Sequence, residues 1–241
     1  MFESIDPALL LGAYSVGVFP MADSRDAPTV YWVEPRRRGI LPLDAFRLSH
    51  SLRKAITSDR FRITVDTAFD RVIGLCAEAA ANRPDTWINP GIAIAFGELH
   101  RAGLAHSVEC WEGDRLAGGL YGLALGRAFF GESMVSRSRD ASKVALAWLV
   151  ARMRVGGFTL LDCQFITPHL ASLGAVEISR ANYLALLKGA LSGVEVSGTA
   201  VAGPAGDFGA LDRLGAAAAP ASAASAPPLG KVIAQLLTQT S

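Results

Sequence analysis

Cysteine is scarce. The 241-residue chain has three, Cys76, Cys110 and Cys163, far apart and in no CxxC pair. That excludes a disulfide framework and a cysteine-rich zinc site, and it points to a reducing compartment. Charge imbalance is missing too: 23 Lys and Arg face 22 Asp and Glu, a net charge of +1. Any case for nucleic acid must therefore come from local clustering. His50, His100, His106 and His169 show no ligand spacing, so no metal is expected. No GxxxxGK[ST] occurs. Gly118, Gly119, Gly122, Gly126 and Gly131 fall within expected strands, which reads as bulges and close packing instead of a phosphate loop. The opening MFESIDPALLLGAYSVGVFPMA is acidic where a signal peptide is basic, and its uncharged run is shorter than a membrane span. A cytoplasmic chain with no membrane association is the expectation.

What is present is apolar: 51% hydrophobic against 19% charged residues, enough for a large core. Asp6-Pro7 reads as the N-cap and first position of a helix over about 8–16, ended by Gly17. GVFPM reads as a turn and TVYWVEP (29–35) as a short strand. From Arg36 to Arg62 there are eight Lys or Arg against two acids, the one marked charge asymmetry. Its plain reading is a solvated surface; its functional reading is a patch for a phosphate backbone. SHSLRKAI reads as a helix and FRITVD as a strand. Residues 67–82 carry Phe69, Val72, Ile73 and Cys76 at helical spacing, with Arg83-Pro84 as the stop, and a second helix spans about 91–101. The period then changes to two. AHSVECW, LAGGLYGLALG and AFFGESM predict an antiparallel meander. Asp140 is expected to cap a helix over 141–155, followed by an interior strand FTLLDCQ, a short helix or turn PHLASLGA, and a helix over 180–191.

This order predicts an α+β fold, a mixed sheet flanked by helices on both faces, as in acetyltransferase-like (GNAT-type) domains. The expected organisation is a small N-terminal domain (1–37), the catalytic domain (38–192) and a tail (193–241). The tail is Ala/Pro-rich around GAAAAPASAASAPP and is expected to be mobile in part.

Polar groups concentrate between Phe129 and Ala175. Glu132 ends a strand beside Met134, where the plain reading is a solvated or paired acid. Asp162 and Gln164 stand two apart on a core strand, so both should face one side and need partners or a cavity. Either a structural pair or a site satisfies that need. Cys163 should face the other way and reads as core.

GVFPM, the TWI of 86–88, HSVECW, GGLYGLALGRAFFGESM, DASKVAL, LLDCQ and HLASLGA occur in this order. Together they resemble the leucyl/phenylalanyl-tRNA–protein transferases over about residues 9–187. The resemblance implies transfer of Leu or Phe, less readily Met, from Leu-tRNA or Phe-tRNA to the α-amine of proteins beginning with Arg or Lys. That marks them for N-degron proteolysis. No metal or coenzyme is implied, since the tRNA ester is already activated. The matched positions give Met134, Leu146, Leu149, Met153 and Leu161 to the aminoacyl pocket, and the helical spacing of 146, 149 and 153 supports one shared face. They give Glu132 to the cationic acceptor, and Tyr14, Met21 and Trp87 to the terminal adenosine, where a ring would stack. Met21 replaces an aromatic found in some relatives. Arg53 and Lys54 match a tRNA-contacting region. Asp162 and Gln164 take the catalytic roles: Gln164 Oε1 orients the attacking amine while Asp162 polarises Gln164 and favours proton loss. In a rival account a ribose hydroxyl shuttles the proton and Asp162 is structural. The competing functions are an acyl-CoA-dependent N-acetyltransferase, which would want a glycine-rich turn where VSRSRDASK stands, and a non-catalytic tRNA-binding module. A monomer is expected.

Overall fold

The computed structural model describes residues 5–78, 85–217 and 230–238, with backbone only for 215–217. Helix α1 (Pro7–Ser15) starts where expected, with the Asp6 carboxylate accepting the Ala8 amide at 2.8 Å. GVFPM is not a turn. Strand β1 (Phe19–Met21) pairs antiparallel with β2 (Tyr31–Val33), Pro20 lying opposite Trp32. A two-stranded ribbon has free edges, so the donor that proline lacks costs nothing there.

The remaining elements run β3 (Arg37–Ile40), α2 (His50–Thr57), β4 (Arg62–Val65), α3 (Phe69–Cys76), α4 (Pro90–Arg101), β5 (Ala105–Glu112), β6 (Arg115–Leu125), β7 (Ala128–Ser136), α5 (Ala141–Val155), β8 (Leu160–Gln164), α6 (Pro168–Ser172), β9 (Val176–Ser179), α7 (Arg180–Ala190), β10 (Glu195–Ser197), β11 (Ala200–Ala202), α8 (Ala210–Ala217) and α9 (Gly230–Thr238). The residues expected to stop α3 at Arg83-Pro84, and most of the Ala/Pro-rich run, lie outside the described residues.

One seven-stranded sheet has the order β4-β5-β6-β7-β8-β3-β9. The meander β4–β7 is antiparallel throughout; alternation predicts β5–β7, and β4 joins them at the edge. Gly122 sits at its bulge, where a Cβ would fall 2.3 Å from the Phe130 carbonyl oxygen, so only glycine fits. Strand β8 then pairs parallel with β7, the connection being α5. Strand β3 lies between β8 and β9 and is antiparallel to both.

Helices cover both faces, as the α+β expectation requires. One layer holds α2, α5, α8 and α9, whose Leu52, Ile56, Leu146, Leu149, Leu211 and Ile233 share a core with Phe129 and Leu161. The other holds α1, α3, α4 and α7, whose Leu11, Tyr14, Val72, Phe96 and Tyr183 pack with Tyr121 and Phe130. Successive residues Phe129 and Phe130 serve opposite cores, the signature of a strand buried on both sides. Part of the tail joins this core: Phe208 and Leu211 are buried, and α9 packs Ile233, Ala234 and Leu237 inward. Asp140 does not cap α5. It occupies the N-cap position at φ +68° with no side-chain cap bond, and its carboxylate lies 3.9 Å from Lys143.

Candidate active site

The parallel pair is short. Its register runs Ala128–Leu160, Phe129–Leu161 and Phe130–Asp162, and there it stops. Beyond Phe130, β7 continues alongside β6 to Ser136, while β8 ends at Gln164. The sheet therefore splits between Gly131–Met134 on one side and Cys163–Phe165 on the other. A cavity of about 290 Å³ occupies the split. It touches both layers: Leu146 and Leu149 of α5 on one face, Phe19, Met21, Trp87 and Tyr121 on the other. Openings at the carboxyl ends of parallel strands are where α/β sheets bind ligands.

Two polar side chains bridge the split. The Gln164 amide Nε2 donates to Glu132 Oε1 at 3.1 Å, both groups being buried. That bond commits the amide nitrogen and leaves Oε1 as the free acceptor of a cavity-lining residue. Gln164 itself adopts φ +54°, a left-handed conformation that costs a non-glycine residue about 1–2 kcal/mol. The Asp162 carboxylate holds that conformation by accepting the Gln164 backbone N–H at 2.8 Å. Burial pushes the Glu132 carboxyl up to about 8, Asp162's charge adding to it and Tyr14 and Arg38 opposing. The buried Tyr14 hydroxyl faces Glu132 without closing a hydrogen bond of ordinary geometry.

Gln164 lines the cavity, and Asp162, fully buried, lies beside it inside the protein. There it meets Arg38, a residue that sequence reasoning left in the basic surface cluster. Arg38 is buried; its Nε donates to Asp162 Oδ1 at 2.9 Å and its Nη2 to Oδ2 at 2.6 Å. Tyr183 Oη donates to Oδ2 at 2.8 Å. Burial alone would lower the Arg38 guanidinium, and its hydrogen bonds and attraction to Asp162 more than reverse this. A partial signal for Arg38 is present: an acid in an interior strand needs a cation or several hydrogen-bond donors, and the run Arg36–Arg38 abuts the apolar Ile40 and Leu41.

The other expected residues separate into groups. Glu132, Met134, Leu146, Leu149, Leu161, Gln164, Met21 and Trp87 line the cavity. Met153 does not: it is fully buried in the core behind α5, since its turn lies too far along the helix to reach the split. Tyr14 has no exposed face on which a base could stack. Its ring is wholly buried, edge-on to Phe130 at 4.9 Å. Arg53 and Lys54 are exposed on α2. Cys163 packs against the layer that holds α5, away from Asp162 as expected, and lines the cavity from there; burial, then the charge of Asp162, raise its thiol far above the ordinary range. Phe19, Phe165 and His169 also line it; His169 Nε2 is buried without a hydrogen-bond partner.

Two further members of the basic cluster pair with acids, Arg37 with Glu177 at 2.9 Å and Arg60 with Glu112 at 2.6 Å. No helix among the described residues is long and apolar enough to cross a membrane.

Against known proteins, the family model described as leucyl/phenylalanyl-tRNA protein transferase matches residues 40–188, and that of its N-terminal domain matches residues 3–36. The leucyl/phenylalanyl-tRNA–protein transferase of Rhizorhabdus wittichii is 61% identical, covering 99% of this chain and 100% of that one. The protein of the same name from Zymomonas mobilis is 60% identical over 89% of this chain and 78% of its own. That from Novosphingobium aromaticivorans is 48% identical over 99% and 98%. Among solved structures, L-PGS from Bacillus licheniformis superposes with a TM-score of 0.37 at 10% identity, covering 70% of this chain and 55% of that one, too loosely to bear on fold or function.

Proposed function

The chain belongs to the leucyl/phenylalanyl-tRNA–protein transferase family, and from that premise we propose how its cavity performs the transfer. The chain moves leucine or phenylalanine, less readily methionine, from aminoacyl-tRNA to the α-amine of a protein that begins with Arg or Lys. The observation that carries this reading is the cavity's two-ended chemistry: Leu146, Leu149, Leu161 and Met134 at one end, the Gln164–Glu132 bridge at the other.

The apolar end takes the aminoacyl side chain. Its shape rejects β-branched residues, and one methyl group in such a pocket discriminates by about 1–3 kcal/mol. The ester carbonyl then lies at the split, within reach of Gln164. The incoming α-amine has an ordinary pKa of about 8, so a useful neutral fraction exists without a strong base. Gln164 Oε1 accepts a hydrogen bond from that amine and aims its lone pair at the carbonyl carbon. The new C–N bond forms, the bond from the carbonyl carbon to the ribose oxygen breaks, and the proton shed by nitrogen ends on that oxygen. Most of the rate comes from holding two large substrates in line. Glu132 faces the cationic first residue of the acceptor, whose charge draws its carboxyl back towards ionisation. Trp87 and Met21, at the other wall, meet the tRNA's terminal adenosine, and the exposed Arg53 and Lys54 meet its backbone. The protein acts as a cytoplasmic monomer.

The test offers radiolabelled Leu-tRNA with an Arg-initiated peptide. Label on the peptide is expected. A tRNA mobility shift without label would instead mark a binding module, and either that or no interaction at all sinks the reading.

A further inference from the structure

Asp162 has an unusual set of neighbours for a residue one step from a reacting amine. Four donors converge on its two oxygens: Arg38 Nε and the Gln164 amide on Oδ1, Arg38 Nη2 and Tyr183 Oη on Oδ2. A carboxylate offers about four lone-pair sites. All are taken, and no solvent reaches the group. Its chief partner is a guanidinium, which does not give up its proton in proteins.

Arg38 reaches further. Its Nη1 donates to the Gly17 carbonyl at 3.0 Å, at the entry to β1. Its guanidinium lies between the rings of Phe19, 4.5 Å away, and Tyr183, 4.6 Å away. Phe19 is a cavity wall, and its ring meets Phe165 edge-on at 5.7 Å across the mouth. One buried cation thus touches the N-terminal wall of the cavity, the acid behind Gln164, and α7. Its strand also approaches closely: a Cβ on Gly39 would sit 2.8 Å from the Phe165 backbone, so β3 presses against the chain just after Gln164.

We propose that Arg38 is a positioning residue of the transfer reaction, which keeps Asp162 a hydrogen-bond acceptor and not a proton acceptor, and through it fixes the left-handed backbone that points Gln164 into the cavity. This rests on the role given above to Gln164. The proton then leaves the amine by way of the substrates.

The experiment compares Arg38→Gln, Asp162→Asn, the double variant and the milder Tyr183→Phe. Single-turnover transfer from Leu-tRNA is followed from about pH 6 to about pH 9, alongside hydrogen exchange at the Gln164 amide and thermal unfolding. Arg38→Gln and Asp162→Asn should each slow the chemical step about 10²-fold with the KM for Leu-tRNA unchanged. The double variant should be no slower than either, because the two side chains act as one unit. Every variant should keep the wild-type pH midpoint, and exchange at Gln164 should quicken in each. Tyr183→Phe removes one donor without burying a new charge; it should cost a few-fold in rate and carries the test if Arg38→Gln does not fold. The proposal fails if Asp162→Asn alone abolishes a limb of the pH profile, or if Arg38→Gln transfers at the wild-type rate. Unchanged exchange at Gln164 in Arg38→Gln also overturns it, without reference to activity. A wild-type chain that transfers nothing sinks the function reading instead.

Discussion

Glu109 and Glu132 are buried glutamates on strands of one sheet, and their surroundings differ. Glu109 lies on β5 inside the meander, where every neighbour is paired. It accepts from Ser107 Oγ at 2.5 Å, Thr64 Oγ1 at 2.5 Å, Thr67 Oγ1 at 3.2 Å and the Ala68 amide at 3.4 Å. Glu132 lies on β7 just past the point where β8 departs. It accepts from Gln164, and burial drives its carboxyl up. A closed sheet supplies partners from its own rows; a split sheet withholds them. The unmet capacity at the split is what a cationic, hydrogen-bonding ligand can fill. The same contrast separates the two halves of the fold. The meander stays paired through its bulges at Cys110–Trp111 and Tyr121–Gly122, and the pair β8-β3 carries the bulge at Gly39–Ile40, the left-handed Gln164 and the buried Arg38.

That contrast can be broken or sharpened in four ways. The largest effect is expected from Gln164→Ala, which removes the acceptor at the split: transfer should fall about 10²- to 10³-fold in kcat with little change in tRNA affinity. A fall in affinity with kcat intact would move Gln164 from chemistry to binding. Next is Glu132→Gln. The folded-state carboxyl titrates near 8 against an ordinary 4.5, so between those values the native state binds the extra proton. Stability should therefore fall as pH rises through that window. The variant should flatten the slope in denaturant titrations and gain ~2–4 kcal/mol over wild type near pH 8. An unchanged slope would mean that Glu132 is better solvated than its burial implies.

A smaller effect, of the opposite kind, is expected at the meander's acid. Glu109→Ala should cost about 1–3 kcal/mol of stability, because it leaves buried donors unmet, with kcat and KM intact in the folded fraction. A catalytic defect there would erase the distinction between the halves. The smallest effect belongs to the exposed cations. Arg53→Ala with Lys54→Ala should weaken tRNA binding about tenfold or less and reduce the slope of log affinity against log salt by about 1–2, leaving single-turnover kcat alone.

Much of this fold is legible in the sequence where local chemistry decides. Asp6-Pro7 caps α1, and alternation marks β5, β6 and β7. The apolar end of the site was readable for the same reason, since α5 repeats at helical spacing. The failures share a cause. Strand β3 has two arginines and a glycine among its four residues, which no propensity marks as a strand; its burial depends on an acid 124 positions away. The hairpin β1–β2 hides behind Pro20. The left-handed conformation of Gln164 at the end of β8 has no signal in the residue type. Tyr14 and Met153 come to the site through matched positions, Met153 also through helical spacing, and in the structure both are buried in the layers and neither lines the cavity.

The split also makes the cavity mechanically uneven. Its β7 wall stays hydrogen-bonded to β6 through Ser136, whereas the end of β8 is held to β3 at only Gly39–Gln164 and Ile40–Asp162. One side is a fixed jamb and the other a short leaf. On the proposed function, a bulkier side chain in the pocket should be accommodated by the leaf, at Cys163–Phe165, whose amides should exchange first in the empty protein and slow most when an aminoacyl group is bound.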